Sequence, residues 1–120
     1  METLPRSGLQ EYAIPTDEIH IWQMTPFEAA AHEKYLSSLL STDELAKAQR
    51  FHFQKDKQRY IAVHGMLRQI LGACSGQAPQ QIGLEYNTYG KPRLVSQPGS
   101  RPLVFSLSYS GEAALLAVTY

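Results

Sequence analysis

The chain has 120 residues, of which 43% are hydrophobic and 18% are charged, and its 11 basic and 11 acidic side chains give a formal net charge of zero. A single domain of this composition can bury a hydrophobic core, and it has no surplus of positive charge with which to capture nucleic acid or an anionic membrane. The one cysteine, Cys74, the lack of an apolar run of membrane-spanning length and the polar N-terminus "METLPRSGLQ" all favour a cytoplasmic protein.

The first part of the chain is expected to be an arm followed by a strand. Residues 1–15 contain two prolines, a glycine and little periodicity, so we predict a flexible N-terminal arm and one folded subdomain over residues 16–120. The segment "EIHIWQM" alternates between two sets of side chains, with Ile19 and Ile21 on one side and Trp22 on the other. This alternation predicts a β-strand.

Three helices are expected next. The segments "TPFE" and "STDE" are capping boxes, in which Thr25 and Ser41 each precede a glutamate by three residues. The first box predicts a helix that ends at about Leu40, and the second predicts a helix that begins directly after Ser41. An apolar stripe over residues 56–71 predicts the third helix, and Gly72 is its expected stop.

The remainder of the chain is typical of strands and turns. "IGLEY" alternates as a short strand, "NTYGKP" has the glycine and proline of a turn, and "LVFSLSY" and "AALLAVTY" flank "SGE" as the two strands of a hairpin. The chain order of one strand, three helices and several strands predicts an α+β fold. We expect about three helices packed on a mostly antiparallel sheet.

Patterns of nucleophilic catalysis or metal binding do not stand out in the sequence. The four histidines precede the C-terminal serines by a long stretch, and no two of them stand three or four residues apart. We expect His52 and His64 to be surface residues or satisfied core residues. The adjacent carboxylates of Asp43 and Glu44 belong to a helix cap. We therefore assign no catalytic residue and no metal ligand.

Basic side chains are concentrated in the middle of the sequence: Lys47, Arg50, Lys55, Lys57, Arg59, Arg68, Lys91 and Arg93. Any single one of them is best interpreted as part of a solvated face. As a set, however, they can surround the strand "FSLSYSG", in which Ser106, Ser108 and Ser110 share one side. Guanidinium groups grip phosphate bidentately and lysine acts as a point charge. Because neither a Walker loop nor a GxGxxG motif is present, such a site would bind a polyphosphate through side chains.

Three segments, "LSTDELAKAQRFHFQKDKQRYIAVHGMLRQIL", "YGKPRL" and "FSLSYSG", resemble in order and spacing the N-terminal half of surfactin-type 4′-phosphopantetheinyl transferases. The resemblance extends from about Ile19 to Tyr120. It implies transfer of the phosphopantetheine arm of coenzyme A to a serine of an acyl or peptidyl carrier protein, with release of 3′,5′-ADP. It also implies that magnesium neutralises the pyrophosphate, and that two similar α+β halves form a pseudo-dimer around coenzyme A.

The resemblance also assigns ligand contacts to particular positions. The residues that fall on family positions in contact with the phosphates or adenosine of the coenzyme are Lys47, Arg59, Lys91 and Ser108. Arg50 belongs to the R-F pair of the motif, where an ion-pairing role and ligand contact are both open. Tyr109 stands where the family has a histidine, and it is either a weaker phosphate contact or a core tyrosine.

The resemblance is incomplete in one respect. The acidic metal-binding motif of the family, which contains D-x-E, does not occur in this sequence. We therefore expect the coenzyme-A-binding half of an enzyme, whose magnesium ligands are not in this chain and which has little or no activity alone. Its expected partner is the missing C-terminal half or a second copy in a homodimer. The alternative is a non-catalytic binding module with the same half-fold.

Overall fold

The structure, a computed structural model, describes residues 2–4, 18–25, 32–95, 103–110 and 113–120. The helices and strands in these ranges are β1 (Glu2–Leu4), β2 (His20–Met24), α1 (Glu33–Ser37), α2 (Thr42–Gln49), α3 (Gln54–Ser75), β3 (Leu84–Tyr86), β4 (Pro92–Leu94), β5 (Val104–Ser110) and β6 (Ala113–Thr119). A short 3₁₀ helix, Pro79–Gln81, connects α3 to β3.

The strands form two sheets. The larger sheet has the order β1-β2-β6-β5, in which β2, β6 and β5 are antiparallel neighbours and β1 pairs in parallel with β2. The smaller sheet is the antiparallel pair of β3 and β4. The predicted hairpin is confirmed, because β5 and β6 pair from Val104 opposite Thr119 to Ser110 opposite Ala113. Three helices with antiparallel sheets confirm the α+β expectation.

One side of the larger sheet faces the core. Trp22, Met24, Leu116 and Val118 are buried on this side, and the pairing of β5 with β6 places Leu107 opposite Leu116 on the same side. Helix α3 covers these residues with its own buried side chains, which belong to the same hydrophobic cluster. The alternate residues of the strands therefore point to the other side of the sheet.

Helix α3 is longer than the sequence predicts. Gly72 was expected to end it, and this expectation is wrong, because the helix continues to Ser75 and ends at Gly76, which has a left-handed φ of 70°. Gly72 has a different purpose: a Cβ at this position would lie 2.6 Å from the carbonyl oxygen of Gln77. A glycine is required at position 72 because the backbone at Gln77 passes too close for a side chain, and not because the helix ends there.

The predicted start of α2 is confirmed in detail. The hydroxyl of Ser41 accepts a hydrogen bond from the backbone N–H of Glu44, and the Glu44 carboxylate accepts one from the N–H of Ser41. The first predicted helix is described as Glu33–Ser37 and ends before Leu40. The capping box expected at Thr25 lies partly outside the described residues.

The N-terminal arm is described at residues 2–4, which form β1. The rest of residues 1–15 lies outside the described part of the chain, so the division at residue 15 stays a prediction. In the ranges that the structure describes, none of the helices has both the length and the hydropathy that a bilayer span requires.

Candidate functional site

A buried ion pair stands at the centre of the helical layer. The Nε of Arg68 donates a hydrogen bond of 2.6 Å to Oε1 of Glu44, and these side chains are only 4% and 2% exposed. The Nη1 of Arg68 also donates to the backbone carbonyls of Pro79 and Ile82, at 3.0 and 2.8 Å. Counting Arg68 among the cations of a solvated helix face or phosphate site was therefore wrong. Its guanidinium group is used to join α2, α3 and the segment that leads to β3.

Glu44 serves two purposes in this network. It completes the capping box of α2, as the sequence predicts, and its second oxygen accepts a hydrogen bond of 2.5 Å from the hydroxyl of Tyr86. Burial alone would raise the pKa of Glu44, but hydrogen bonds from the Ser41 N–H, from Tyr86 and from Arg68 outweigh burial and lower the pKa. The carboxylate is therefore ionised and holds Tyr86 in place.

Three aromatic rings are stacked beside this ion pair. The ring centroids of Tyr60 and His64 are 4.0 Å apart, and those of His64 and Tyr86 are 5.9 Å apart, with interplanar angles of 21° and 15°. His64 is 6% exposed, and neither ring nitrogen has a hydrogen-bond partner in the part of the chain that the structure describes. Of the two expectations for His64, a core position is confirmed, but its nitrogens are not satisfied there.

The imidazole of His64 is held in the neutral form. Burial lowers its pKa to about 4, and the positive charges of Lys47 and Arg68 add to this effect, while Glu44 opposes it. Burial likewise raises the pKa of Tyr60 to about 12. At neutral pH the stack of Tyr60, His64 and Tyr86 is therefore an uncharged aromatic surface.

The ammonium group of Lys47 lies against this stack. Its Nζ is 5.5 Å from the ring centroid of Tyr60 and 5.9 Å from that of Tyr86. It also adjoins the turn between β3 and β4, because a Cβ placed on Gly90 would lie 3.6 Å from this nitrogen. Lys47 therefore lies beside the turn that leads directly to Lys91, although the two lysines are far apart in sequence.

The turn that carries Lys91 is well defined. Gly90 has a φ of 80°, which glycine adopts without strain. The side-chain oxygen of Asn87 accepts hydrogen bonds of 2.9 Å from the backbone N–H groups of Tyr89 and Lys91. The turn predicted from "NTYGKP" is therefore confirmed, and the side chain of Lys91 extends from it as an exposed group.

Arg59 and Tyr109 form a second part of the site. The guanidinium carbon of Arg59, near the start of α3, lies 4.6 Å from the ring centroid of Tyr109 on β5. Tyr109 is 50% exposed, and by strand alternation it points to the same side of the sheet as Leu107. Arg59 directly precedes Tyr60, over whose ring Lys47 lies.

Ser108 and Arg50 are arranged differently from these residues. Ser108 is exposed and, by alternation along β5, points to the side of the sheet opposite Tyr109. Arg50 is the exposed C-cap of α2, three residues after Lys47, and its backbone N–H donates a hydrogen bond of 3.1 Å to the carbonyl oxygen of Lys47. Among the predicted residues, the structure thus shows two contacts between distant parts of the chain: Lys47 with the turn that precedes Lys91, and Arg59 with Tyr109.

Other basic side chains of the predicted cluster have partners of their own. Arg93 forms an ion pair of 2.8 Å with Glu85 across β3 and β4, and Nζ of Lys57 donates to the side-chain oxygen of Gln49 at 3.2 Å. Because of these contacts, Arg93 and Lys57 are weaker candidates for phosphate binding than Lys47 and Lys91.

The described residues do not fit a metal site. Among them, no group of three His, Cys, Asp or Glu side chains is close enough to hold a metal ion. The thiol of Cys74 is buried, and burial raises its pKa to about 12, so it is a poor ligand and a poor nucleophile. What the site offers chemically is a group of cations on a rigid aromatic support, which suits the binding of phosphate oxygens.

A comparison with protein families matches residues 22–120 to a family model described as "4′-phosphopantetheinyl transferase, N-terminal". The 4′-phosphopantetheinyl transferase HetI of Nostoc sp. (strain PCC 7120) is 39% identical over 105 residues, which are 88% of this chain and 44% of HetI. The protein slr0495 of Synechocystis sp. (strain PCC 6803), named as a putative 4′-phosphopantetheinyl transferase, is 33% identical over 82 residues, which are 68% of this chain and 33% of that protein. The chain therefore spans less than half the length of these two relatives.

Solved structures show the same fold. The holo-[acyl-carrier-protein] synthase of Helicobacter pylori, determined in complex with coenzyme A, aligns with a TM-score of 0.60 and 17% identity over 85% of this chain and 98% of that chain. The holo-ACP synthase of Plasmodium yoelii aligns with a TM-score of 0.60 and 16% identity over 83% of this chain and 90% of that chain. At this level of identity the likeness concerns the fold.

Proposed function

The chain belongs to the 4′-phosphopantetheinyl transferase family, and on this premise we propose that it is the coenzyme-A-binding half of such an enzyme. The reaction of the whole enzyme would move the phosphopantetheine arm from coenzyme A to a serine of an acyl or peptidyl carrier protein. The serine oxygen would form the new bond to phosphorus, and 3′,5′-ADP would leave.

The observations that carry this proposal are the meeting of Lys47 with the Gly90–Lys91 turn and the placement of Arg59 on the ring of Tyr109. Coenzyme A carries a pyrophosphate and a 3′-phosphate, and such a ligand is bound by several cations on fixed supports. The nearest buried acid, Glu44, is engaged by Arg68 and so leaves the positive charge of Lys47 available to a ligand.

Ser108 and Tyr109 give the proposed ligand a direction. Because they point to opposite sides of β5, a ligand that contacts both of them would lie against the end of this strand and not across one side of the sheet. Arg50, at the end of α2, would contribute at longer range. In this arrangement the cations near Lys47 would hold one phosphate group, and the end of β5 would hold the other end of the nucleotide.

We further propose that transfer requires a second half of the surfactin-type architecture, either a C-terminal half or a second copy of this chain. Two findings support this: the chain spans 44% of HetI, and the described residues lack a metal-binding group. The magnesium that neutralises the pyrophosphate would then have its ligands outside the described residues. Alone, the chain would have little or no transfer activity. Its single, buried cysteine agrees with a cytoplasmic location.

A non-catalytic binding module is the second candidate function. It is favoured by Tyr109, whose ring lies against Arg59 and whose pKa is raised chiefly by burial. A neutral phenol can donate one hydrogen bond to a phosphate, whereas a protonated histidine would also attract it by its positive charge. Supplying a C-terminal half and magnesium distinguishes the two candidates, since only the first predicts that an apo carrier protein then gains the mass of phosphopantetheine.

Calorimetric titration of the chain with coenzyme A tests the proposed site. We expect Lys47→Met, Arg59→Met and Lys91→Met each to weaken binding by about tenfold, because each removes one charge-assisted contact. Lys57→Met is the matched control. Because Nζ of Lys57 donates to Gln49, this substitution should leave the affinity for coenzyme A unchanged. If the three site variants bind like the control, the proposed site is wrong.

A further inference from the structure

The proposed function uses Lys47 but leaves unexplained why its ammonium group lies over two aromatic rings. A lysine near the end of an exposed helix normally samples many rotamers, and ordering it for a ligand costs conformational entropy. Here Nζ of Lys47 is within 6 Å of the centroids of both Tyr60 and Tyr86. Distances in this range are those of attractive cation–π contacts.

The rings that face Lys47 are themselves fixed. Tyr60 and His64 are four residues apart on α3, so they lie on the same side of the helix. Their ring centroids are 4.0 Å apart, and the ring of Tyr86 is nearly parallel to that of His64, with the centroids 5.9 Å apart. The hydroxyl of Tyr86 is bonded to the buried Glu44 carboxylate. The aromatic surface therefore depends on α2, α3 and β3 together.

We propose that the stack of Tyr60, His64 and Tyr86 is a positioning platform, which holds the ammonium group of Lys47 at the Gly90–Lys91 turn so that a ligand phosphate meets an already ordered cation. This proposal rests on the proposed function, because it concerns the affinity of the same site for coenzyme A. The three aromatic residues act through Lys47 and need not touch the ligand.

The place of His64 in the stack supports a platform more than it supports a ligand contact. The imidazole is 6% exposed, and it stacks on the rings of both Tyr60 and Tyr86. The charged groups that act on it are Glu44, Lys47 and Arg68. A neutral ring at this position completes the aromatic surface, whereas a protonated ring would repel Lys47.

The alternative is that the rings only pack the core and contribute to stability. A double-mutant cycle separates the two roles. Coenzyme A affinity is measured by calorimetry for the wild type, Tyr60→Leu, Lys47→Met and the double variant, with Tyr60→Phe to keep the ring and remove the hydroxyl. Phe53→Leu is the control, because Phe53 is 65% exposed and its ring contacts His52.

We expect Tyr60→Leu to weaken coenzyme A binding by about five- to tenfold, and we expect Phe53→Leu to bind like the wild type. Tyr60→Phe keeps the ring under Lys47 but removes the hydroxyl that interacts with Tyr86, so it should lose less affinity than Tyr60→Leu. In the Lys47→Met background, Tyr60→Leu should cause no further loss. An equal loss in both backgrounds would overturn the proposal, because Tyr60 would then act independently of Lys47. Thermal unfolding of each variant identifies any that do not fold.

A measurement without ligand distinguishes failure of this proposal from failure of the proposed function. Protons next to an amine that lies over aromatic rings are shifted upfield in NMR spectra. We expect an upfield shift of the Lys47 ε-methylene protons that is lost in Tyr60→Leu and kept in Tyr60→Phe. If this shift is present and coenzyme A does not bind, the platform stands and the proposed ligand is wrong. If coenzyme A binds and the shift is absent, the platform is wrong.

Discussion

Protonation of His64 should destabilise the fold at mildly acidic pH. Its pKa is lowered from the usual 6.5 to about 4, mainly because the ring is buried. The unfolded chain therefore binds this proton at a higher pH than the folded chain. A group of this kind stabilises the folded state above its ordinary pKa, and the stability falls as the pH is lowered from about 6.5 towards 4.

The size of the effect follows from the shift. Each pH unit within this window costs about 1.4 kcal/mol, so lowering the pH from 7 to 5 should reduce the free energy of unfolding by about 2 kcal/mol through His64 alone. Glu44 acts in a lower range, because its lowered pKa costs stability only as the pH falls below its ordinary value of 4.5. The interval between pH 7 and 5 therefore separates the effect of His64 from that of Glu44.

Urea unfolding followed by the fluorescence of the buried Trp22 measures this difference. His64→Phe keeps an aromatic ring in the stack and removes the titration, and His64→Leu serves as a second variant in case the larger ring does not fit. Both should lose about 2 kcal/mol less than the wild type between pH 7 and 5. The reasoning is refuted if the wild type and a folded variant lose equal stability over this interval.

The buried ion pair, the close approach at Gly72 and the tyrosine on β5 give further tests. Arg68→Met should cost about 3–5 kcal/mol of unfolding free energy in urea, because it leaves Glu44 charged and buried, and Glu44→Leu should cost less in the Arg68→Met background than in the wild type. An equal cost of Glu44→Leu in both backgrounds would contradict the pairing. Gly72→Ala should lower the melting temperature, since the added Cβ would meet a backbone oxygen at 2.6 Å; an unchanged value would contradict that contact. Tyr109→His should bind coenzyme A several-fold more tightly by calorimetry at pH 6, where the imidazole is partly charged. Equal affinity would indicate that Tyr109 does not contact the ligand.

Local patterns in the sequence predicted much of the fold. The alternation in "EIHIWQM" and in "FSLSYSG" corresponds to β2 and β5, and the hydroxyl and carboxylate of the predicted capping box form both of its hydrogen bonds. These features depend on residues within a few positions of one another, which is the range over which a single sequence is informative. The interpretation of Gly72 as a helix stop is wrong because a glycine is needed there for a different reason, the close approach of the Gln77 backbone, which the local sequence does not reveal.

The candidate site was harder to predict, because its contacts join distant parts of the chain. Arg68 and Glu44 are 24 residues apart, and nothing local distinguishes Arg68 from the neighbouring exposed cations. The stack beneath Lys47 joins α3 to β3. The sequence pattern assigns Tyr60 to an apolar helical stripe, His64 to the surface or the core and Tyr86 to a short strand, and nothing local links the three. The resemblance to a family singled out Lys47, Arg59 and Lys91 without giving their geometry, and it did not indicate Tyr60, His64 or Tyr86.

NMR titration of the isotopically labelled chain with coenzyme A tests most directly whether Lys47, Arg59 and Lys91 form a phosphate site. The account predicts saturable shifts of the backbone amides of Lys47, Arg59, Lys91 and Tyr109, which pantetheine, a fragment without phosphates, does not reproduce. Shifts that do not saturate, or that are centred on residues distant from Lys47 and the Gly90–Lys91 turn, would contradict it.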